Sequence, residues 1–189
     1  APAKVSITEN NNKINVQILS YDASGNLTSD VSQTLKQNLA EYLSNYRMIN
    51  DYVSIGSAQV IDLGVEVSVV LDGTQNSGVV ISNVIDRVTT FFSPAVRGLG
   101  ENILLSELSR IIQAENGVVS LTDISIYGKV GGQYSSAQTS MPYSDEATKK
   151  IGLTDNTIFA EPNQIYQVRF PSKDIVVRVK NYQTTTFSW

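Results

Sequence analysis

Cysteine and histidine are both absent from these 189 residues. Without cysteine there are no disulfide staples and no thiol catalysis. Without histidine the usual zinc donor set is gone, and so is the side chain that most often moves protons near neutral pH. Charge is scarce as well. Asp, Glu, Lys and Arg make up 17% of the chain, against about a quarter in an ordinary soluble domain. A polar surface with little charge is poorly protected against association, so protein partners are expected. The net charge is −4, and no basic cluster exceeds Lys149-Lys150. Phosphate binding needs a concentrated positive face, so no nucleic-acid partner is expected. No apolar run approaches the roughly 20 residues that cross a bilayer, and no membrane partner is expected either. The N-terminal APAKVSITENNNK has no apolar signal-peptide segment and no initiator Met. The chain is therefore expected to be a fragment of a longer one.

What is present is a strong architecture. Hydrophobic residues are 41% of the chain, enough for one domain with a real core or a domain with an appendage. Ser57 to Phe92 is its centre. Ile61, Leu63, Val65, Val67, Val69 and Leu71 alternate with Asp62, Gly64, Glu66, Ser68 and Asp72. That period of two predicts a strand with one buried face and one wet face. Asp72-Gly73 ends it. Ser77 is placed to cap a helix whose stripe is Ile81, Val84, Ile85, Val88, Phe91 and Phe92.

Residues 1–12 read as a linker or a short edge segment, and KINVQILSY over 13–21 as a strand. Ser29 or Asp30 is placed to cap a helix to about Tyr46, with Val31, Leu35, Leu39, Tyr42, Leu43 and Tyr46 as its stripe. Asn50-Asp51 supplies a turn, and Tyr52–Ile55 is a short extended piece. A third helix runs from about 102 to Glu115 on Leu104, Leu105, Leu108, Ile111 and Ile112, stopped by Asn116-Gly117; then Val118–Tyr127 is a strand. Residues 13–127 thus give strand, helix, strand, helix, helix, strand. Two of these connections look like right-handed crossovers between parallel strands. The predicted fold class is α+β: a two-layer sandwich of a small mixed sheet with helices on one face.

Beyond the core at 13–127, residues 128–163 lack periodicity and read as a long loop or arm. Gln164–Phe170 and Asp174–Lys180 read as a β-hairpin, followed by a tail that ends in TTTFSW. Its inward set would be Tyr166, Val168 and Phe170 against Val177 and Val179. Aromatic residues are favoured interface anchors. Tyr134, Tyr143, Phe159, Tyr166, Phe187 and Trp189 are accordingly the candidate interface residues. For Tyr134, Tyr143 and Phe159 the competing reading is that they pin the arm onto its own domain.

Chemistry is hard to find. Asp62 and Glu66 stand roughly 13 Å apart at about 3.3 Å per strand residue, beyond the separation glycosidases use, and read as a solvated sheet face. No Ser lies in a nucleophile elbow. An enzyme is not expected, nor a cofactor, a small-molecule substrate or a metal. The alternative function rests on oxygen-bearing residues at 22, 24, 26, 28 and 30, which suggest a calcium loop in a calcium- or sugar-dependent binding module. Their glycine falls at loop position four rather than six, and Gln33 stands where a calcium loop wants Glu. Asn26-Leu27-Thr28 is also a glycosylation sequon.

The element order carries a resemblance. The helix at 30–46 is followed by Asn50-Asp51-Tyr52-Val53-Ser54-Ile55, the alternating strand, and a helix ending Phe91-Phe92-Ser93-Pro94. Gly98-Leu99-Gly100-Glu101-Asn102-Ile103, Ser106-Glu107-Leu108 and Gly117-Val118 come next. Over about 13–127 this resembles the baseplate J-like proteins of contractile phage tails. With the tail included, the chain is similar to the C-terminal part of baseplate wedge subunits of T4-like phages. The resemblance implies a virion protein of the tail baseplate, assembled in the host cytoplasm, with structural work and no catalytic residues. Such subunits pair with a second copy of themselves and with other wedge proteins, and form a ring around the tail hub that rearranges when the sheath contracts.

Overall fold

The computed structural model describes residues 3–10, 13–46 and 52–180. The expected turn at Asn50-Asp51 and the tail residues Phe187 and Trp189 lie outside them. Two sheets share one long extended stretch. Strands β4 (Tyr52–Ser57) and β5 (Gln59–Leu71) are separated by Ala58 alone. Ala58 is 1% exposed and donates its N–H to Ile18 O in the first sheet. The next N–H, that of Gln59, goes to Asn163 O in the second. The chain changes sheets within one residue.

The small sheet is built on β2 (Lys13–Tyr21). It pairs antiparallel with β1 (Lys4–Asn10), parallel with β4 along residues 13–18, and antiparallel with β3 (Leu27–Thr28) at 20–21. Helix α1 (Gln33–Ser44) makes the expected crossover from β2 to β4. It lays Leu35, Leu39 and Leu43 on Ile14, Val16, Ile18, Val53 and Ile55, yet none of its own residues is buried. Its cap is Ser32, which accepts the Leu35 N–H at 3.3 Å; Ser29 and Asp30 are used in the preceding turn. The segment expected as linker carries the edge strand β1.

The large sheet is centred on β5. Its odd face, with Ile61, Leu63, Val65, Val67 and Val69, meets Val84, Val88, Phe91 and Phe92 from α2 (Ser77–Phe91) and its end, and Leu108 and Ile112 from α3 (Leu105–Gln113). Each such aliphatic side chain contributes about 1.5–3 kcal/mol when fully buried. The helix α2 is capped by Asn76, whose carboxamide oxygen accepts the Gly78 N–H at 2.8 Å, so Ser77 is the first helical residue and not the cap. Gly117 stops the segment after α3 as expected. Its φ is +93°, and a Cβ there would fall 2.8 Å from Val80 Cγ2. The α+β class is that observed, with these two helices on one face.

Four features differ from expectation. Strand β7 (Val118–Lys129) runs antiparallel to β5, because the connection holds two helices and the second reverses the chain once more. The arm is structured: β8 (Tyr143–Asp145) and β9 (Lys150–Ile151) extend the sheet beyond β7, while β10 (Thr157–Ile158) pairs with β6 (Ile103–Leu104). Gln164–Phe170 and Asp174–Lys180 do not form the expected hairpin. β11 (Gln164–Gln167) and β12 (Ile175–Lys180) both run parallel to β5, one after the other along the same side. They form a single edge interrupted by the one-turn helix α4 (Pro171–Asp174). Alternation is the same in both arrangements; Pro171 at the first helical position, where its missing N–H is not needed, favours the helical turn. Finally, the even face of β5 is not wet. Asp62 is 0% exposed and Ser68 6%.

Candidate functional site: a strapped sheet face and an open edge

The burial of that even face has an identifiable cause. Near Ala58 it meets the small sheet, where Val60 packs with Leu19, Leu27 and Ile165. One step along, residues of the arm cross Asp62 as a strap. Asp62 Oδ2 accepts the Ser135 N–H at 2.6 Å, and Oδ1 accepts a hydrogen bond from Gln167 Nε2 at 2.8 Å. Gln167 reaches it because it is the register partner of Asp62 on β11. Beside this pair, the Tyr134 hydroxyl donates to Asp174 Oδ1 at 2.7 Å, with its ring edge-on to Phe170 at 5.6 Å. The second oxygen of Asp174 accepts the Phe170 N–H at 3.1 Å and so holds the turn of α4. From the same segment Arg169 donates to Asp22 Oδ2 at 2.7 Å, joining the large sheet's edge to the turn after β2.

The electrostatics follow from this packing. Burial pushes the Asp62 carboxyl above its ordinary 3.8, and the Ser135 and Gln167 donors and the Arg169 charge pull it only partly back. Burial also raises the Tyr134 hydroxyl to about 12, helped by its hydrogen bond to Asp174 and by the charges of Asp174 and Asp62. At Asp22 burial acts upward but loses to the N–H groups of Asn26 and Ser24 and to Arg169, and the carboxyl lies below 3.8. Each carboxylate is engaged as a hydrogen-bond acceptor, and charge-assisted bonds of this kind are strong fasteners. The cluster ties four chain segments together.

The sequence candidates separate accordingly. Asp62 and Glu66 do not share a solvated face: Asp62 is under the strap, while Glu66 pairs with Arg178 of β12. Of the interface candidates, Tyr134 fastens the strap. Tyr143 is half-buried over Gly128, with the Lys149 ammonium 4.9 Å from its ring centre. Tyr166 is 1% exposed, its hydroxyl donating to Phe159 O at 2.7 Å, so its ring is core and not surface. Phe159 is 45% exposed and stands at the surface directly after β10, whose partner strand β6 carries Leu104, itself 46% exposed. The calcium-like loop is an Asx turn. Asp22 Oδ1 accepts the N–H groups of Ser24 and Asn26, both at 2.9 Å, while a guanidinium takes Oδ2. Among the described residues no group of three or more acidic side chains is arranged to hold a metal ion, and no helix is long and apolar enough to cross a membrane. Periodicity missed Ser135, Gln167, Arg169 and Asp174, because the strap binds through peptide N–H groups and polar side chains that leave no apolar rhythm.

A second surface lies on the small sheet. Val5 and Ile7 are 46% and 67% exposed, and among the described residues no strand pairs with the outer side of β1.

No family model matches this chain, and no curated protein matches it. Among solved structures it is similar to a chain in the cryo-EM structure of the anti-feeding prophage baseplate, 6-fold symmetrised. The TM-score is 0.57 at 9% identity, over 88% of this chain and 33% of that one. The likeness is one of fold, and the chain spans about a third of the length of the chain it matches.

Proposed function

We propose that this chain is a structural component of a contractile-tail baseplate, of the J-like wedge type, that associates with itself and with other wedge proteins. In that role it forms part of a ring around the tail hub, and the ring rearranges when the sheath contracts. One observation carries the reading: the fold likeness to a chain of the anti-feeding prophage baseplate runs through 88% of this chain. The site geometry supports it. The polar residues under the strap are used as fasteners, which suits a part that bears load rather than one that turns over a substrate. Its place is the virion tail, reached by assembly in the host cytoplasm, and it works without catalytic residues or a cofactor. Antibody against this chain, applied to purified intact tails and viewed by electron microscopy, tests the reading. Label at the end of the tail distal to the head is expected. Tails that assemble fully and contain none of this chain would overturn it.

A further inference from the structure

Strand β1 differs from the edge strands β4, β8 and β12. Proteins blunt exposed edges with charges, prolines, shortness or a covering element. Here β12 carries Arg178 and Lys180, and β8 is three residues long and ends on Asp145. At the other side of the small sheet, β4 has Val53 and Ile55 under α1 and a glycine at 56. β1 has seven residues, KVSITEN, with no proline, no glycine and no charge between Lys4 and Glu9. Opposed residues of an antiparallel pair share a face. The register Val5↔Ile18 and Ile7↔Val16 therefore puts Val5 and Ile7 on the face that α1 covers elsewhere. The helix does not reach them, and an apolar shelf is left beside an unpaired backbone.

We propose that this shelf and edge are the site where a second copy of the chain docks, strand β1 against strand β1, antiparallel about a two-fold axis through Ser6. The sequence of the strand suits a second copy, and of the registers centred on Ser6 and on Ile7 it favours the first. A two-fold normal to the sheet pairs residue i with a residue of the same face, so the sum of the two numbers is even. Centring on Ser6 sets Val5 of each copy against Ile7 of the other and Lys4 against Thr8. Centring on Ile7 would set Val5 against Glu9, an apolar side chain against a carboxylate. The first register is self-complementary, the property an isologous dimer interface requires. It joins the two small sheets into one continuous sheet and covers all four apolar side chains. Backbone pairing supplies the contact and the alternate apolar side chains fix the register, as in strand addition generally.

This inference rests on the self-association in the proposed function and gives it a surface. Sedimentation velocity of the whole chain over a concentration series is the test, with Ile7→Lys as the interface variant and Val79→Lys, at another exposed valine, as control. The wild type and Val79→Lys are expected to dimerise alike. Ile7→Lys is expected to dimerise about tenfold more weakly or worse, with unchanged circular dichroism and melting because Ile7 is already 67% exposed. The chain has no cysteine, so Ser6→Cys introduces a unique thiol. Mild oxidation should link two copies through it, and Asn10→Cys, which lies off the axis, should link far less. A wild type that dimerises while Ile7→Lys matches it and Ser6→Cys stays unlinked overturns the docking site and leaves the baseplate role intact. A wild type that stays monomeric at all concentrations overturns the docking site together with self-association, and the tail-labelling experiment then judges the remaining role separately.

Discussion

The two sheets solve the same problem differently. In the large one, β5 is buried on both faces, by helices on the odd side and by the small sheet and the polar strap on the even side. In the small one, β2 has a single helix over it, and that helix buries none of its own residues. The first arrangement is closed and self-sufficient. The second keeps an apolar shelf and an unpaired strand at its rim. The contrast places stability in the large sheet and, under the docking proposed above, partner contact in the small one, although both grow from the same twenty-residue extended stretch that passes through Ala58.

The sharpest way to break this comparison is a matched pair of truncations. Leu108→Ala, at a side chain 0% exposed against the large sheet, should cost about 3 kcal/mol or more in denaturant unfolding. Leu39→Ala, on the half-covered stripe of α1, should cost about 1 kcal/mol. Equal losses would mean the small sheet is as well packed as the large one.

Next in size is the strap. Asp62→Ala leaves the half-buried Ser135 N–H and the buried Gln167 amide without their acceptor and should cost about 2 kcal/mol. Asp62→Asn keeps one oxygen for Ser135, and the Gln167 carboxamide can turn to accept from the new amide, so the loss at neutral pH should stay under about 1 kcal/mol. The pH dependence carries a definite sign. The folded Asp62 carboxyl lies above 3.8, so the folded state holds the proton more tightly than the unfolded chain. Its contribution to stability therefore falls as pH rises from 3.8 through the raised folded value. Asp62→Asn removes that decline, and its unfolding free energy should gain on the wild type across the same interval. Asp22 acts the other way: its lowered carboxyl contributes stability that is present above 3.8 and is lost as pH falls through the folded value.

A smaller effect is expected at the join between the sheets. Asp22→Asn weakens the pairing with Arg169 but keeps an oxygen for the turn. Its cost should be about 1 kcal/mol, with faster hydrogen exchange in β2 and β3 than in β5. Smallest of all is Lys149→Ala. The pair with Glu146 is exposed, and the change should lie within about 0.5 kcal/mol of the wild type in thermal melts.

Much of this contrast could be read from the sequence, and its failures have physical reasons. The odd face of β5 and the stripe of α2 were legible because apolar side chains recur at the periods of strand and helix. The α1 stripe was legible too, but periodicity reports which face points inward and not how well that face is covered. The even face of β5 was misread because Asp62, Gly64 and Ser68 look like solvent-facing residues. At Asp62 the cover is polar, made of the Ser135 peptide group and the Gln167 amide, and the first of these comes from a segment with no rhythm of its own. The interrupted edge of β11 and β12 reads as a hairpin in the sequence because alternation does not record strand direction. At Tyr134, Ser135 and Asp174 the site was therefore beyond pattern reading, since residues 40 and 73 positions apart meet through single hydrogen bonds.

Hydrogen exchange measured by mass spectrometry, on dilute chain and on chain at a concentration where it associates, tests the central claim most directly. Slow exchange is expected in β5 and β7 under both conditions, and exchange in β1 that is fast in the dilute chain and slows on association. Protection of β1 equal to that of β5 in the dilute chain, or no change in β1 on association, would contradict it.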